Sequence, residues 1–183
     1  MKPILILISG FSCTGKTTLA KKIAERYSLP LIGRDNIQES LYNSLGYSDR
    51  EWSKKLGIAS YNLLYLFTER LLANHKSLII ESNFKSEVDT AKLLNLKNKY
   101  QFHLLQIHCY TEIAIALQRF KNRAISGARH PGHVDHLIYE EMESNWKQGG
   151  YELLNVCDRT LKIDTTDFNL IDYEKIYTTI EKN

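Results

Sequence analysis

The chain has 183 residues, 43% of them hydrophobic and 25% charged, with a formal net charge of +3. Those figures describe one globular domain of ordinary size, able to bury a core without staples, and no stretch approaches the roughly 20 apolar residues that a membrane span needs. The mild positive charge suits an anionic ligand without demanding nucleic acid, which calls for a denser basic stripe, and Cys13, Cys109 and Cys157 are too far apart to suggest a metal framework or disulfide set, so a reducing cytoplasm is the simplest setting.

In chain order, strands alternate with helices. Residues 3–9, PILILIS, are apolar at six of seven positions and form a first strand. Met1-Lys2 and this run before Cys13 also have the outline of a short signal peptide, but the run is at minimum length and Phe11-Ser12 is a poor cleavage context. A helix over 16–27 follows, with Leu19, Ala20, Ile23, Ala24 and Tyr27 on one face. LPLIG (29–33) is a second strand, and residues 35–44 are a helix opened by Asp35. SDRE (48–51) reads as a capping box, with Ser48 as cap and Glu51 reaching back. The helical region it opens runs to about residue 74 and is so rich in Leu and Tyr that it should be largely buried.

SLIIES (77–82) is a third strand, Ser86 is expected to cap a helix over 87–98, and residues 101–110 are a fourth strand. A helix over 112–125, an ordered loop or lid over 126–136 and a helix over about 135–146 follow. TLKID (160–164) is a fifth strand, and 172–182 a terminal helix. This alternation implies an α/β domain over 1–183: a parallel five-stranded sheet flanked by helices, with ligands at the carboxyl ends of the strands.

Between the first strand and the first helix the chain reads GFSCTGKTT. Gly10, Gly15, Lys16 and Thr17 fit the P-loop pattern G-x-x-x-x-G-K-[ST] in the strand–turn–helix context the pattern requires. The glycines let backbone N–H groups turn inward, and the helix offers its positive N-terminus to phosphate. Gly10, Ser12, Cys13, Thr14, Gly15, Lys16, Thr17 and Thr18 are therefore the candidate ATP-binding residues. Lys16 reaches the β- and γ-phosphates, and the Thr17 hydroxyl can ligate Mg²⁺.

The class of P-loop protein is narrowed by what the other strand ends carry. A guanine-reading Asn-Lys-x-Asp is missing; NLKNKY has the letters without the spacing. The strand LIIESN ends in Glu81 followed by Ser82, so the Asp-Glu pair of motor ATPases is missing too, although Glu81 can reach Mg²⁺ through water. A small kinase remains: a P-loop, an acceptor pocket and a basic lid.

GRDNIQES (33–40) places Asp35 just beyond the second strand, on the same sheet edge as the P-loop. A carboxylate there can accept the proton of an attacking hydroxyl, and it can also cap the helix; the two roles are compatible. Arg119 and Arg123 lie one turn apart on a helix face, and Arg129 follows in the loop. Isolated, they would be a solvated basic face; beside a P-loop they read as a lid over 119–136 that stabilises charge on the transferring phosphoryl group.

Together GFSCTGKTT, GRDNIQES, LIIESNF and RFKNRAISGARHPGHVD resemble the small P-loop kinases that include phage-type 5′-polynucleotide kinase, zeta-type toxin kinases and chloramphenicol phosphotransferase, over roughly residues 3–166. SGARHPGHVD is more similar to AAA-like single-domain ATP-binding proteins of that group. The resemblance implies that Asp35 is the general base, that Arg123 is the lid arginine with Arg119 a turn before it, and that IDTTD (163–167), with Thr165, lies near the adenine. Arg34, Gln38 and Asn83 are the candidate acceptor-binding residues. Polynucleotide kinase has an arginine where this chain has Gln38, which weakens the case for a nucleic-acid 5′-end.

His130, His133 and His136 recur every third residue, but Pro131-Gly132 interrupts them and no carboxylate or cysteine completes a set, so lid or substrate contacts are favoured over zinc. Cys13 lies near a helix N-terminus, where thiol pKa values fall; it reads as an incidental small residue open to oxidation. The region over 36–74 is expected to build much of the acceptor pocket, with Tyr42, Trp52, Tyr61 and Tyr65 available for stacking, although most of them are more simply core. The sequence thus predicts a cytoplasmic kinase using ATP and Mg²⁺ to phosphorylate a small-molecule hydroxyl. The alternatives are a polynucleotide 5′-hydroxyl kinase and a regulatory ATP-binding module.

Overall fold

The computed structural model describes residues 2–127, 129–149 and 153–182. Strand β1 (Ile4–Ser9) leads into α1 (Lys16–Tyr27), β2 (Leu31–Gly33) into α2 (Arg34–Leu45) and the long α3 (Arg50–Ala73), and β3 (Leu78–Glu81) into α4 (Ser86–Lys99). Then come β4 (His103–Tyr110), α5 (Ile113–Ser126), two 3₁₀ turns at Pro131–His133 and Asp135–Leu137, α6 (Tyr139–Gln148), β5 (Arg159–Asp164), a 3₁₀ turn at Phe168–Leu170 and α7 (Tyr173–Glu181). The strands pair parallel in the order β2-β3-β1-β4-β5. The expected α/β fold, with its five-stranded parallel sheet flanked by helices, is the one observed.

β1 runs through the middle of the sheet, so both of its faces are covered and Leu5, Ile6, Leu7 and Ile8 are fully buried. Ile6 and Ile8 pack with Leu19 and Ile23 of α1 and Ile176 and Ile180 of α7. Leu5 and Leu7 face the opposite layer, against Leu64 and Leu72 of α3 and Leu93 of α4. Each such side chain contributes about 1.5–3 kcal/mol of burial. A third cluster joins α5 to the segment after it: Ala116 and Phe120 of α5, Val134, Ile138 before α6 and Trp146 of α6, packed on Phe11 and Cys13 of the loop after β1. The Phe11 and Trp146 rings lie 5.4 Å apart.

Three expectations are corrected. The cap of α3 is Asp49, whose carboxylate accepts from the Trp52 N–H; Ser48 lies one residue outside, and Glu51 pairs with Lys54 at 2.9 Å instead of reaching back. Helix α4 begins at Ser86 itself, and the donor before it, Lys85 N–H, bonds the Asp89 carboxylate at 2.6 Å. α3 is not largely buried. It buries one stripe, including Leu56, Gly57, Ser60, Leu64 and Leu72, while Ile58, Leu66 and Phe67 face outward. Among the described residues no helix is long and apolar enough to cross a membrane.

Candidate active site

The sheet register assembles the site. Glu81, the last residue of β3, is paired with Ile8 of β1 and with Gly33 of β2. The chain leaving β1 enters the phosphate loop, and the chain leaving β2 enters α2. The carboxyl ends of three neighbouring strands therefore bring the P-loop, Glu81 and Asp35 to one edge.

The loop itself is shaped by backbone that only certain residues tolerate. Gly10 has φ +131°, and a Cβ there would lie 2.1 Å from the Cys109 carbonyl oxygen. Gly15 has φ +77° and lies flat against Phe168, 2.4 Å from where a Cβ would be. Cys13, between them, also takes a left-handed φ of 64°. Helix α1 starts with no side-chain cap and no acid in its first turn, which leaves its first N–H groups for an anion. Thr14 is held on both sides: its hydroxyl donates to Phe11 O at 2.9 Å, and its carbonyl accepts from Thr165 Oγ1 at 2.7 Å.

Lys16 is buried and donates to Phe11 O at 2.7 Å. Burial pulls its pKa down, while Glu81 pulls it up. Thr17 Oγ1 donates to Glu81 Oε1 at 2.9 Å. Burial raises the Glu81 pKa against the opposing effects of Lys16 and Thr17. Cys13 does not behave as its position suggested: burial pushes its thiol up, despite Arg123, Arg129 and Lys16 nearby.

Asp35 lies in the first turn of α2, whose cap is Gly33 with no side-chain bond, so Asp35 is not the cap. Its carboxylate instead accepts from Arg129 of the lid. Burial works to raise the Asp35 pKa, but Arg129 and Arg34 outweigh it and hold the carboxyl well below the usual range. Arg129 also donates to Asp135 at 3.0 Å, and Arg123 pairs with Asp135 at 3.1 Å. Arg119 donates to the carbonyls of Thr165 and Thr166 at 2.8 and 2.9 Å and to Cys13 O at 3.4 Å. Its guanidinium sits 4.7 Å over the Phe168 ring. Arg119 thus clamps the P-loop to the segment after β5, where Thr165 is fully buried and its hydroxyl is taken by the Thr14 and Tyr110 carbonyls.

Two cavities meet at Asp35. A cleft of about 330 Å³ runs along the P-loop past Lys16, Thr17, Glu81, Arg119, Arg123 and Phe168. A second cavity of about 210 Å³ extends under the lid, bounded by Gln38, Arg50, Lys85, Arg129, His133 and Asn145. Ser12, Arg34, Asp35 and Asn83 line both.

Other site expectations change. Gln38 is buried; its amide nitrogen donates to Tyr42 Oη at 2.5 Å and Ser53 O at 3.0 Å, and its oxygen accepts from Arg34 Nη2 at 3.0 Å. It orients Arg34, and both donors of its amide nitrogen are taken up inside the protein. Tyr42, Trp52, Tyr61 and Tyr65 line neither cavity: Tyr42 is core, Trp52 Nε1 donates to Gly46 O at 3.0 Å, and both other hydroxyls donate to Asp89. His130 stacks on Tyr42 at 5.1 Å, and His133 meets the same ring edge-on while bonding Glu39 at 3.0 Å. The His136 side chain lies outside the described residues, among which no group of three potential metal ligands gathers. Sequence reasoning missed Glu39, Asp135 and Gly132. Of these, only Asp135, inside the basic lid segment, carried a legible signal as a counter-charge.

A family model described as an AAA domain matches residues 5–147. The crystal structure of a candidate kinase from Chloroflexus aurantiacus is 34% identical, with a TM-score of 0.89, over 100% of this chain and 98% of that one. A sugar kinase from Janibacter is 14% identical, with a TM-score of 0.61, over 98% of this chain and 96% of that one. A structure from the PezAT chromosomal toxin–antitoxin system of Streptococcus pneumoniae is 18% identical, with a TM-score of 0.55, over 89% of this chain and 68% of that one. The last two likenesses are of fold alone. No curated protein matches the chain.

Proposed function

The chain belongs to this AAA-domain family, and from that premise we propose that it is a P-loop kinase, moving the γ-phosphoryl group of Mg-ATP to a hydroxyl of a small molecule. The observation that carries this is the place of Asp35, at the junction of the P-loop cleft and a second cavity. A regulatory module needs only the first cavity; phosphoryl transfer needs both, with a base between them. The candidate kinase from Chloroflexus aurantiacus supports the same assignment.

In this mechanism the backbone of Gly10 to Thr18 and Lys16 hold the phosphates. The Thr17 hydroxyl and the Glu81 carboxylate, already bonded to each other, are hard oxygen donors that suit Mg²⁺. Bound there, the ion would neutralise charge on the β- and γ-oxygens. Asp35 accepts the acceptor's hydroxyl proton as that oxygen attacks the γ-phosphorus, and the bond from phosphorus to the bridging oxygen breaks to release ADP. Arg123 and Arg129 supply positive charge from the lid, and Arg119 with Phe168 frames the adenine end of the cleft. The domain over 1–183 then divides into the P-loop core, an acceptor-side helical region at about 36–74 and a lid at about 119–136.

The test is transfer of labelled γ-phosphate from Mg-ATP into an acceptor panel of nucleosides, amino sugars, aminoglycosides, 5′-hydroxyl oligonucleotides and a metabolite extract. Labelled product that Asp35→Asn abolishes, with ATP affinity retained, is the expected outcome. Release of free phosphate alone, unchanged by Asp35→Asn, would remove the role assigned to Asp35 and favour the regulatory module.

A further inference from the structure

Arg34 lines the second cavity with the Asp35 charge nearby but, among the described residues, no ion pair of its own. Arg50 pairs with Glu141, and Arg129 with Asp35 and Asp135. Among the described residues, no carboxylate stands within ion-pair distance of Arg34. Its Nη2 donates only to the neutral Gln38 amide, at 3.0 Å, and its Nε is buried with no hydrogen-bond partner. A half-buried guanidinium held in that way has the Asp35 charge nearby but no carboxylate in direct contact to offset its desolvation.

The fold nonetheless fixes this side chain. Gln38 is clamped by Tyr42 and Ser53 and presents its oxygen to Arg34. Gly57 of α3 leaves room beside it, since a Cβ there would lie 3.2 Å from Arg34 Nη2. A planar fork of donors held in one orientation is suited to a carboxylate or phosphate, which it binds through two parallel bonds. The cavity's volume of about 210 Å³ is below the roughly 300–1,000 Å³ of drug-sized sites, which limits the occupant to a compact molecule.

We propose that the phosphoryl acceptor is a small anionic hydroxyl compound, its carboxylate or phosphate held by Arg34 while its hydroxyl faces Asp35. This rests on the kinase activity proposed above. Asn83, whose amide donates to Ser12 Oγ at 3.4 Å at the shared wall, is placed to contact the acceptor's remaining hydroxyls.

A deproteinised metabolite extract is separated on an anion exchanger into neutral and anionic fractions, and each is offered with labelled Mg-ATP to the wild type, Arg34→Gln and Arg34→Lys. Expected is labelled product from the anionic fraction, an acceptor KM raised about 10- to 100-fold in Arg34→Gln, partial recovery in Arg34→Lys, and an unchanged ATP KM. ATP affinity in each variant reports an intact fold. Treating the fraction with a phosphatase, then removed, separates the two anions: loss of the acceptor indicates a phosphate, and survival a carboxylate. Product from the neutral fraction or from a 5′-hydroxyl oligonucleotide, or an acceptor KM that Arg34→Gln does not move, would overturn the anionic acceptor while the kinase stands. No labelled product from any source, with ATP still bound, would overturn the kinase and this inference with it.

Discussion

Arg129 of the lid donates to the carboxylate of Asp35, 94 residues earlier in the chain, at the junction of the two cavities. The contact couples the position of the 119–136 segment to the charge state of the proposed base. Burial alone would raise the Asp35 pKa; Arg129, followed by Arg34, reverses the sign. A carboxyl held low stays ionised, and whatever depends on its charge is lost only as pH falls through the folded pKa.

Arg129→Gln should therefore let the Asp35 pKa climb back toward its ordinary value. The acid limb of the pH profile of kcat/KM is expected to move to higher pH by about one unit, the lower end of what a neighbouring opposite charge does. At neutral pH kcat should also fall, because a lid cation is gone. An acid limb that stays in place in Arg129→Gln would show that Arg129 does not set the ionisation of Asp35.

The lid is seated by a contact with no charge in it. Gly132 lies on the face of Tyr42, and a Cβ at that position would stand 2.6 Å from the ring. Tyr42 cannot retreat, because its hydroxyl is fixed by Gln38 and Ser53. Gly132→Ala should lift the lid, costing about 1–3 kcal/mol of the closed state. Expected are a fall in kcat/KM of roughly tenfold or more, ATP affinity within about twofold of wild type, and faster tryptic cleavage at Arg129. Normal turnover with a protease-resistant lid would refute the seating role.

Much of this site could be read in the sequence, because the P-loop and the strand ends are local patterns. The hydrophobic run of β1, the spacing from Gly10 to Thr17, and Asp35 two residues beyond β2 each follow from one short stretch. What could not be read were pairings between side chains distant in the chain. Gln38, three residues after Asp35, is expected to meet an acceptor, but Tyr42 and Ser53 hold its amide, and nothing local to Gly132 sets it against Tyr42. The cap of α3 missed by one residue, since Ser48 and Asp49 are both good caps and only the backbone decides. Cys13 was misjudged because the helix N-terminus lowers a thiol pKa while burial, invisible locally, raises it.

Thr17 and Glu81 give a separate test at the metal. Their hydrogen bond of 2.9 Å fixes the hydroxyl that would ligate Mg²⁺ and places a carboxylate beside it. Thr17→Ala removes the ligand, and Glu81→Gln removes its partner's charge. In both, the Mg²⁺ concentration needed for half-maximal nucleotide binding should rise by about 10- to 100-fold, the usual cost of losing an outer partner or a ligand. Binding of metal-free ATP should change little in Thr17→Ala and improve in Glu81→Gln, where a repelling charge is gone. Unaltered Mg²⁺ dependence in both variants would take the ion away from this pair.

Asp89 of α4 joins α3 to the chain that leaves β3, and its loss should be felt in stability before chemistry. It is fully buried, and its carboxylate accepts from the Tyr61 hydroxyl at 2.5 Å, the Tyr65 hydroxyl at 2.6 Å and the Lys85 N–H at 2.6 Å. Burial, reinforced by the Asp89 charge, holds both phenols far above their ordinary pKa, so they remain donors at any working pH. The three bonds tie α3 to the chain between β3 and α4, the same chain that carries Asn83 past the shared wall of the cavities. Asp89→Ala leaves three donors without their acceptor, two phenols that are half-buried and the Lys85 N–H at the surface, at up to about 1–3 kcal/mol for each phenol before relaxation. A total loss of about 3–5 kcal/mol in denaturant unfolding is expected, as for breaking a buried charged network. Tyr65→Phe, which removes one donor and no charge, should cost about 1 kcal/mol. If Asp89→Ala unfolds at the wild-type denaturant midpoint, the carboxylate does not hold these elements together, and α3 is fixed by its apolar stripe alone.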